Sequence, residues 1–297
     1  MVTPLLEDDK LDIKGTGRLV EHILSGGVHG LFILGTTGEG PALSHSLRQS
    51  FVKEVTGMVA GRVPVLVGIT DTAFQESVSM ARVAADCGAD GVVAAPPYYF
   101  AVSKSELSDY YRALADSSPL PLYLYNIPSR VKTSLDVDTV KALADHPNIA
   151  GFKDSSADML YFQTILHHLK GREDFAVYVG PEENTAECVL MGADGGINGG
   201  ANVFPHLFVK MYDAAVGRDF ETIDKLQKMI MTISSTLYSI GDDGPSFLKS
   251  VKCALSMMGI CSDYVCLPCH RISPSERKKV QAALEELSSV FFNNRFF

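Results

Sequence analysis

Short apolar runs, each closing on a polar or glycine-rich turn, alternate along the chain with stretches of helical period. The runs Gly30–Leu34, Val63–Gly68, Gly91–Ala95, Leu122–Tyr125, Ile149–Lys153, Ala176–Val179 and Gly195–Asn198 are apolar on both faces and predict buried strands, with the stub Val2–Pro4 as an eighth. Between them Ile13–Leu24, Ser46–Val59, Phe74–Cys87, Lys104–Ala115, Asp158–Leu169 and Asn184–Met191 predict amphipathic helices. Strands covered on both sides by the helices that follow them form a parallel sheet, and eight such units close into a TIM (β/α)8 barrel. A doubly wound open sheet usually needs fewer. After Ala214 the pattern changes: Phe220–Leu237, Ser246–Met258 and Pro274–Val290 are helical with no strand between them. We therefore expect a barrel over residues 1–217 that carries the active site, and a three-helix C-terminal extension over 218–297. No Pro-, Gly- or Ser-rich linker separates the two, which argues against an independently moving domain.

Composition agrees with a large buried core: 46% of the 297 residues are hydrophobic and 21% charged, with 25 glycines and 14 prolines to serve many turns. A net charge of −9 without a dense Lys/Arg block excludes a nucleic-acid partner. No apolar run reaches the ~18 residues of a bilayer span, and MVTPLLEDDK lacks the basic-then-apolar layout of a signal peptide. These features place the chain in the cytoplasm, where its six sparse cysteines stay reduced.

In a barrel the reactive groups sit at the C-terminal ends of strands, and three runs end there in polar groups: Leu31–Glu39, Leu122–Arg130 and Ile149–Ser155. Lys153 closes one of them. It is either a solvated strand-end lysine or an amine that desolvation turns toward its neutral, carbonyl-attacking form. The glycines of GTTGEG (Gly35–Gly40) resemble a phosphate loop, but Pro41-Ala42 stand where Lys and Ser/Thr are required. The segment is either a capped strand-to-helix turn or a cradle of N–H and hydroxyl donors for a small carboxylate. Tyr98-Tyr99 suit packing at a rim or subunit contact. CLPCH (Cys266–His270) matches a c-haem attachment pattern that would need an exported chain, and Cys261, Cys266, Cys269 and His270 form a conceivable zinc set. No ligand pair of the HExxH kind supports a catalytic metal. A G-x-S-x-G elbow is missing, and GGINGG (Gly195–Gly200) does not meet the dinucleotide fingerprint.

Taken together, GTTGE at Gly35–Glu39, YNIPSR at Tyr125–Arg130 and GFKD at Gly151–Asp154 resemble, in order, the motifs of the dihydrodipicolinate synthase / N-acetylneuraminate lyase family of class I, pyruvate-dependent aldolases. The resemblance covers essentially the whole chain. It implies that Lys153 forms a Schiff base with pyruvate and that Tyr125 is the general acid/base. Thr36 would link Tyr125 to Tyr99 as a proton relay, with Tyr99 entering the partner subunit's site. Thr37 would hold the pyruvate carboxylate, and the Ile197 carbonyl would line the pocket. Arg130 would grip the carboxylate of aspartate semialdehyde. The implied assembly is a homotetramer built from tight dimers, acting on small molecules without a cofactor or metal.

The resemblance favours 4-hydroxy-tetrahydrodipicolinate synthase. Gly40-Pro41-Ala42, where those synthases usually carry Ser-Ala-Thr, resembles instead the 2-keto-3-deoxy sugar-acid aldolases; N-acetylneuraminate lyase and keto-acid dehydratases share the same Schiff base. Glu76, Tyr98 and His45 match the family's lysine-inhibition site, but Gly40 and Thr72 replace its Ser and Asn, which predicts weak or absent lysine feedback. Thr3-Pro4 come earlier than in most family members, so the first strand looks clipped. Retention of Lys153, Tyr125, Thr36 and Tyr99 argues against an idle member used only for binding.

Overall fold

The computed structural model describes residues 1–241 and 245–292. The chain opens with a hairpin, β1 (Leu5–Glu7) paired antiparallel with β2 (Lys10–Leu11). Seven parallel strands follow in one sheet, ordered as in the sequence: β3 (Leu31–Ile33), β4 (Val65–Gly68), β5 (Gly91–Ala94), β6 (Leu122–Asn126), β7 (Ile149–Asp154), β8 (Ala176–Val179) and β9 (Gly195–Gly196). Helices α1 (Ile13–Ser25), α2 (His45–Val59), α3 (Phe74–Asp86), α4 (Lys104–Ser117), α5 (Pro128–Val131), α6 (Val137–Ala144), α7 (Met159–Leu169), α8 (Thr185–Met191) and α9 (Pro205–Val216) surround that curled sheet. Then come α10 (Phe220–Thr236), α11 (Ser246–Met257) and α12 (Pro274–Phe292). The last five residues of the expected extension, and residues 242–244 within it, lie outside the described part.

Sequential order with parallel pairing is the wall of the expected barrel. The stub Val2–Pro4 is a correction, because it joins no ladder and the first paired strand is the hairpin strand at Leu5. Residues 1–3 are instead held between the two ends of the sheet. Met1 N donates to the Phe32 carbonyl at 2.6 Å, Val2 N to Asn202 Oδ1 at 2.9 Å, and Thr3 Oγ1 to the Gly38 carbonyl at 2.6 Å. Single side-chain and carbonyl contacts replace a backbone ladder there.

Alternation along the strands sorts the core into two parts. Leu122, Leu124 and Phe152 point outward into the large cluster beneath the helices, whereas Tyr123, Tyr125, Val93 and Phe32 share a smaller one inside the barrel. The helices begin where polar side chains meet their free N–H groups. Ser103 and Glu106 form a capping box on α4, and Asp12, Ser44, Asp136 and Asp158 cap α1, α2, α6 and α7. Among the described residues, no helix is long and apolar enough to cross a membrane.

Candidate active site

Strands β6 and β7 meet in register: Tyr125 lies opposite Lys153 on the interior face, and Asn126 opposite Asp154 on the other. This brings together the amine and phenol that the sequence singles out. Lys153 is buried, with Nζ 4.3 Å from the centre of the Tyr125 ring and 5.1 Å from that of Phe32. Thr36 Oγ1 and the Tyr125 hydroxyl share a hydrogen bond of 3.3 Å. Burial alone would raise the Tyr125 pKa, but the Lys153 ammonium and hydrogen bonds from Thr36, Ser155 and Lys153 outweigh it, so the phenol titrates lower than usual. A cavity of about 380 Å³ runs along the inside of the sheet, from His29 and Gly30 at the strand N-terminal end up to this pair, where Thr36, Thr37 and Ile197 also line it. An amine, an acidified phenol and a rim of hydroxyl and backbone donors can together make and break an imine.

A framework one layer further out fixes the pair. Asn126 Nδ2 donates to Asp154 Oδ1 at 2.8 Å, and Asn126 Oδ1 accepts from Leu135 N at 3.0 Å. Ser156 Oγ donates to Asp154 Oδ2 at 2.8 Å. Burial holds the Asp154 pKa above the usual carboxylate value. Each strand end is thus tied to its neighbour by side chains as well as by the ladder, which limits how far Tyr125 can move from Lys153.

Sequence reasoning missed Ser155, whose hydroxyl, just past the end of β7, helps lower the Tyr125 pKa. Its place depends on Gly180, where a Cβ would lie 1.9 Å from Ser155 Oγ and 3.0 Å from the Asp154 carbonyl. The pair of hydroxyl residues after Lys153-Asp154 was the available signal. Missed too was Glu39, whose buried carboxylate meets Lys252 of α11.

Two of the expected residues are not brought into the cavity. Tyr99 is 77% exposed and stacks edge-on against Phe100, and Arg130 is exposed on α5; neither lines the cavity in this single chain. Both follow the strand ends on outward-turning segments, which is why nearness in sequence does not place them at Lys153. Two of the residues likened to a lysine-inhibition site, His45 and Glu76, join a network of their own, with His45 Nε2 2.9 Å from Asp71 Oδ2 and Nδ1 3.3 Å from Glu76 Oε2. Arg48 NH1 donates to the same Asp71 oxygen at 3.0 Å. Among the described residues, no group of three or more His, Cys, Asp and Glu side chains is placed to hold a metal ion, so the zinc reading of CLPCH gains no support.

The sequence profile of the Dihydrodipicolinate synthetase family matches residues 1–287. The chain is similar to the dihydrodipicolinate synthase structure from Bacteroides thetaiotaomicron, at 51% identity and a TM-score of 0.94, with 96% of each chain covered. It is also similar to a prophage protein of the dihydrodipicolinic acid synthase family from Escherichia coli K12, solved in complex with pyruvate, at 30% identity and a TM-score of 0.91, covering 97% of this chain and 96% of that one. A probable 2-dehydro-3-deoxy-D-pentonate aldolase of Escherichia coli K12 is 34% identical over 263 residues, 88% of this chain and 86% of that protein.

Proposed function

The chain belongs to the Dihydrodipicolinate synthetase family, and we propose from that premise that it is a lyase in which Lys153 and Tyr125 run a Schiff-base reaction between pyruvate and an aldehyde. The observation that carries this reading is the facing of Tyr125 and Lys153 across neighbouring strands, over one cavity and with Thr36 on the phenol. Pyruvate is a substrate class suggested by the relative solved with it.

In the proposed sequence the neutral Lys153 Nζ attacks the keto carbon of pyruvate. Water leaves, taking one net proton from Tyr125, so that a protonated imine and the Tyr125 phenolate remain. The positive nitrogen draws electrons from the adjacent methyl group, whose proton passes to the Tyr125 phenolate, leaving an enamine. That enamine's terminal carbon bonds to the aldehyde carbon while the phenol protonates the new alkoxide, and water then cleaves the imine to release the keto-acid product. Lowering the phenol's pKa beside Lys153 makes the phenolate available for the proton abstractions. Thr37 would hold the carboxylate, and the carbonyl of Ile197 would shape the pocket.

The reading closest to the relatives is 4-hydroxy-tetrahydrodipicolinate synthase, with aspartate semialdehyde as the aldehyde. A sugar-acid aldolase is the second reading. Favouring it are the Gly40–Ala42 turn, the absence of Arg130 from the cavity lining and the pentonate aldolase among the relatives. We place the protein in the cytoplasm, in keeping with six free cysteines. We also propose a tetramer of paired dimers, in which Tyr99 crosses to a partner's site, and a C-terminal helical extension over 218–297. Aldehyde-dependent consumption of pyruvate, measured with aspartate semialdehyde, glyceraldehyde and N-acetylmannosamine, tests the reading. Turnover lost in Tyr125→Phe supports it, and no turnover with any aldehyde overturns it.

A further inference from the structure

We propose that the buried Glu39–Lys252 ion pair is a positioning device that sets the Thr36-Thr37 turn against Tyr125 and the carboxylate end of the substrate pocket; this rests on the pyruvate reading above. Glu39 closes the Gly35–Glu39 turn in the left-handed backbone region, at φ 58°, which a glutamate adopts only when its surroundings hold it there. Leu34, at the start of the same turn, sits at φ 57°. The turn is closed tightly: Glu39 N donates to the Thr36 carbonyl at 3.1 Å and Gly40 N to the Gly35 carbonyl at 3.2 Å. A Cβ at Gly40 would lie 2.1 Å from the Leu34 carbonyl, so the turn cannot relax by moving inward. Any displacement of Glu39 is passed by its N–H to Thr36.

What holds Glu39 comes from the far end of the chain. Its side chain is 4% exposed and that of Lys252 not at all. Lys252 Nζ donates to Glu39 Oε1 and, at 2.7 Å, to the Tyr264 carbonyl, while Glu39 Oε2 accepts from Cys266 N at 2.8 Å. Both carboxylate oxygens are therefore occupied by α11 and by the segment that follows it. A buried ion pair seldom stabilises a fold more than a well-packed apolar pair would, because two charges must leave water. Its directed hydrogen bonds do fix geometry, and the geometry fixed here is that of the turn carrying Thr36 and Thr37. The C-terminal helices thereby act on the active site without touching substrate.

The test compares wild type with Glu39→Gln/Lys252→Met, which removes both charges at similar volume, by melting temperature and by the pyruvate dependence of borohydride trapping on Lys153. The expected result is a double variant that melts near the wild type but needs about tenfold or more pyruvate for half-saturation, as for a site displaced by a fraction of an ångström. Its pH profile should also shift upward as Tyr125 loses Thr36. A folded double variant with the wild-type pyruvate dependence and pH profile would overturn the positioning role. Should the double variant not fold, Glu39→Asp, which keeps the charge on a shorter arm, is read by the same two criteria. Absence of any adduct in the wild type would instead defeat the Schiff-base reading.

Discussion

Thr36→Val removes one hydrogen bond from the Tyr125 hydroxyl at nearly constant volume. The bond is 3.3 Å long, beyond the usual range for paired hydroxyls, and Thr36 faces the open side of the cavity. A net value of about 0.5–1 kcal/mol, the lower half of the range for such bonds, is therefore appropriate. Because this bond lowers the phenol's pKa, its loss raises that pKa, and the phenolate forms at higher pH. The lowering by the Lys153 charge and by Ser155 remains, so the limb moves without vanishing. On the rising, acidic side of the kcat/KM profile the variant should be slower by roughly two- to fivefold, with the profile converging on the wild type at higher pH. Initial rates with pyruvate and the best aldehyde, taken across the pH range, provide the assay. An unmoved acidic limb, or the same loss at every pH, would refute the claim that Thr36 acts by stabilising the phenolate.

Other expectations follow from the surrounding residues. Gly180→Ala would place a methyl group against Ser155 Oγ and the Asp154 carbonyl, so it should cost roughly 1–3 kcal/mol of stability and lower kcat as Ser155 leaves Tyr125; urea denaturation and steady-state kinetics check both. Burial raises the Glu182 carboxyl from 4.5 to about 7, so the fold binds its proton more tightly than the unfolded chain does. Stability from this group is complete below pH 4.5 and falls as pH rises toward 7, by up to about 3 kcal/mol. Glu182→Gln should flatten that decline, and urea midpoints of both proteins at pH 5 and pH 8 would show it. Lys252→Met alone leaves Glu39 buried without its partner and should cost about 3–5 kcal/mol in the same denaturation assay.

The strands were legible in the sequence because a parallel strand buried on both faces is an unbroken apolar run, as in Gly91–Ala94, where every residue is buried. The place of Lys153 and Tyr125 at strand ends was legible for a related reason, since a polar group ending such a run lies at the barrel mouth, whereas their roles were assigned only by the family resemblance. Helices α6 and α9 were not anticipated, the first because eight residues give little periodicity; the second was passed over although its buried Leu207, Phe208, Met211, Ala214 and Ala215 keep a helical period. The N-terminal stub was misread as a strand, since its apolar residues are buried by single contacts rather than by a ladder. Glu39 was quoted within its motif without its partner, which is 213 positions away. No local pattern reports such a pairing. Ser155 was closer to hand, but its place beside Tyr125 depends on the bare backbone of Gly180, just past the end of β8.

The central claim is that Lys153 forms an imine with pyruvate, and trapping that imine is the most direct measurement. The protein is incubated with pyruvate, reduced with borohydride, digested and mapped by mass spectrometry beside a Lys153→Ala control. The account predicts a reduced pyruvyl adduct on Lys153 and none in the control. An unlabelled Lys153 in folded protein, or equal labelling of other lysines, would contradict it.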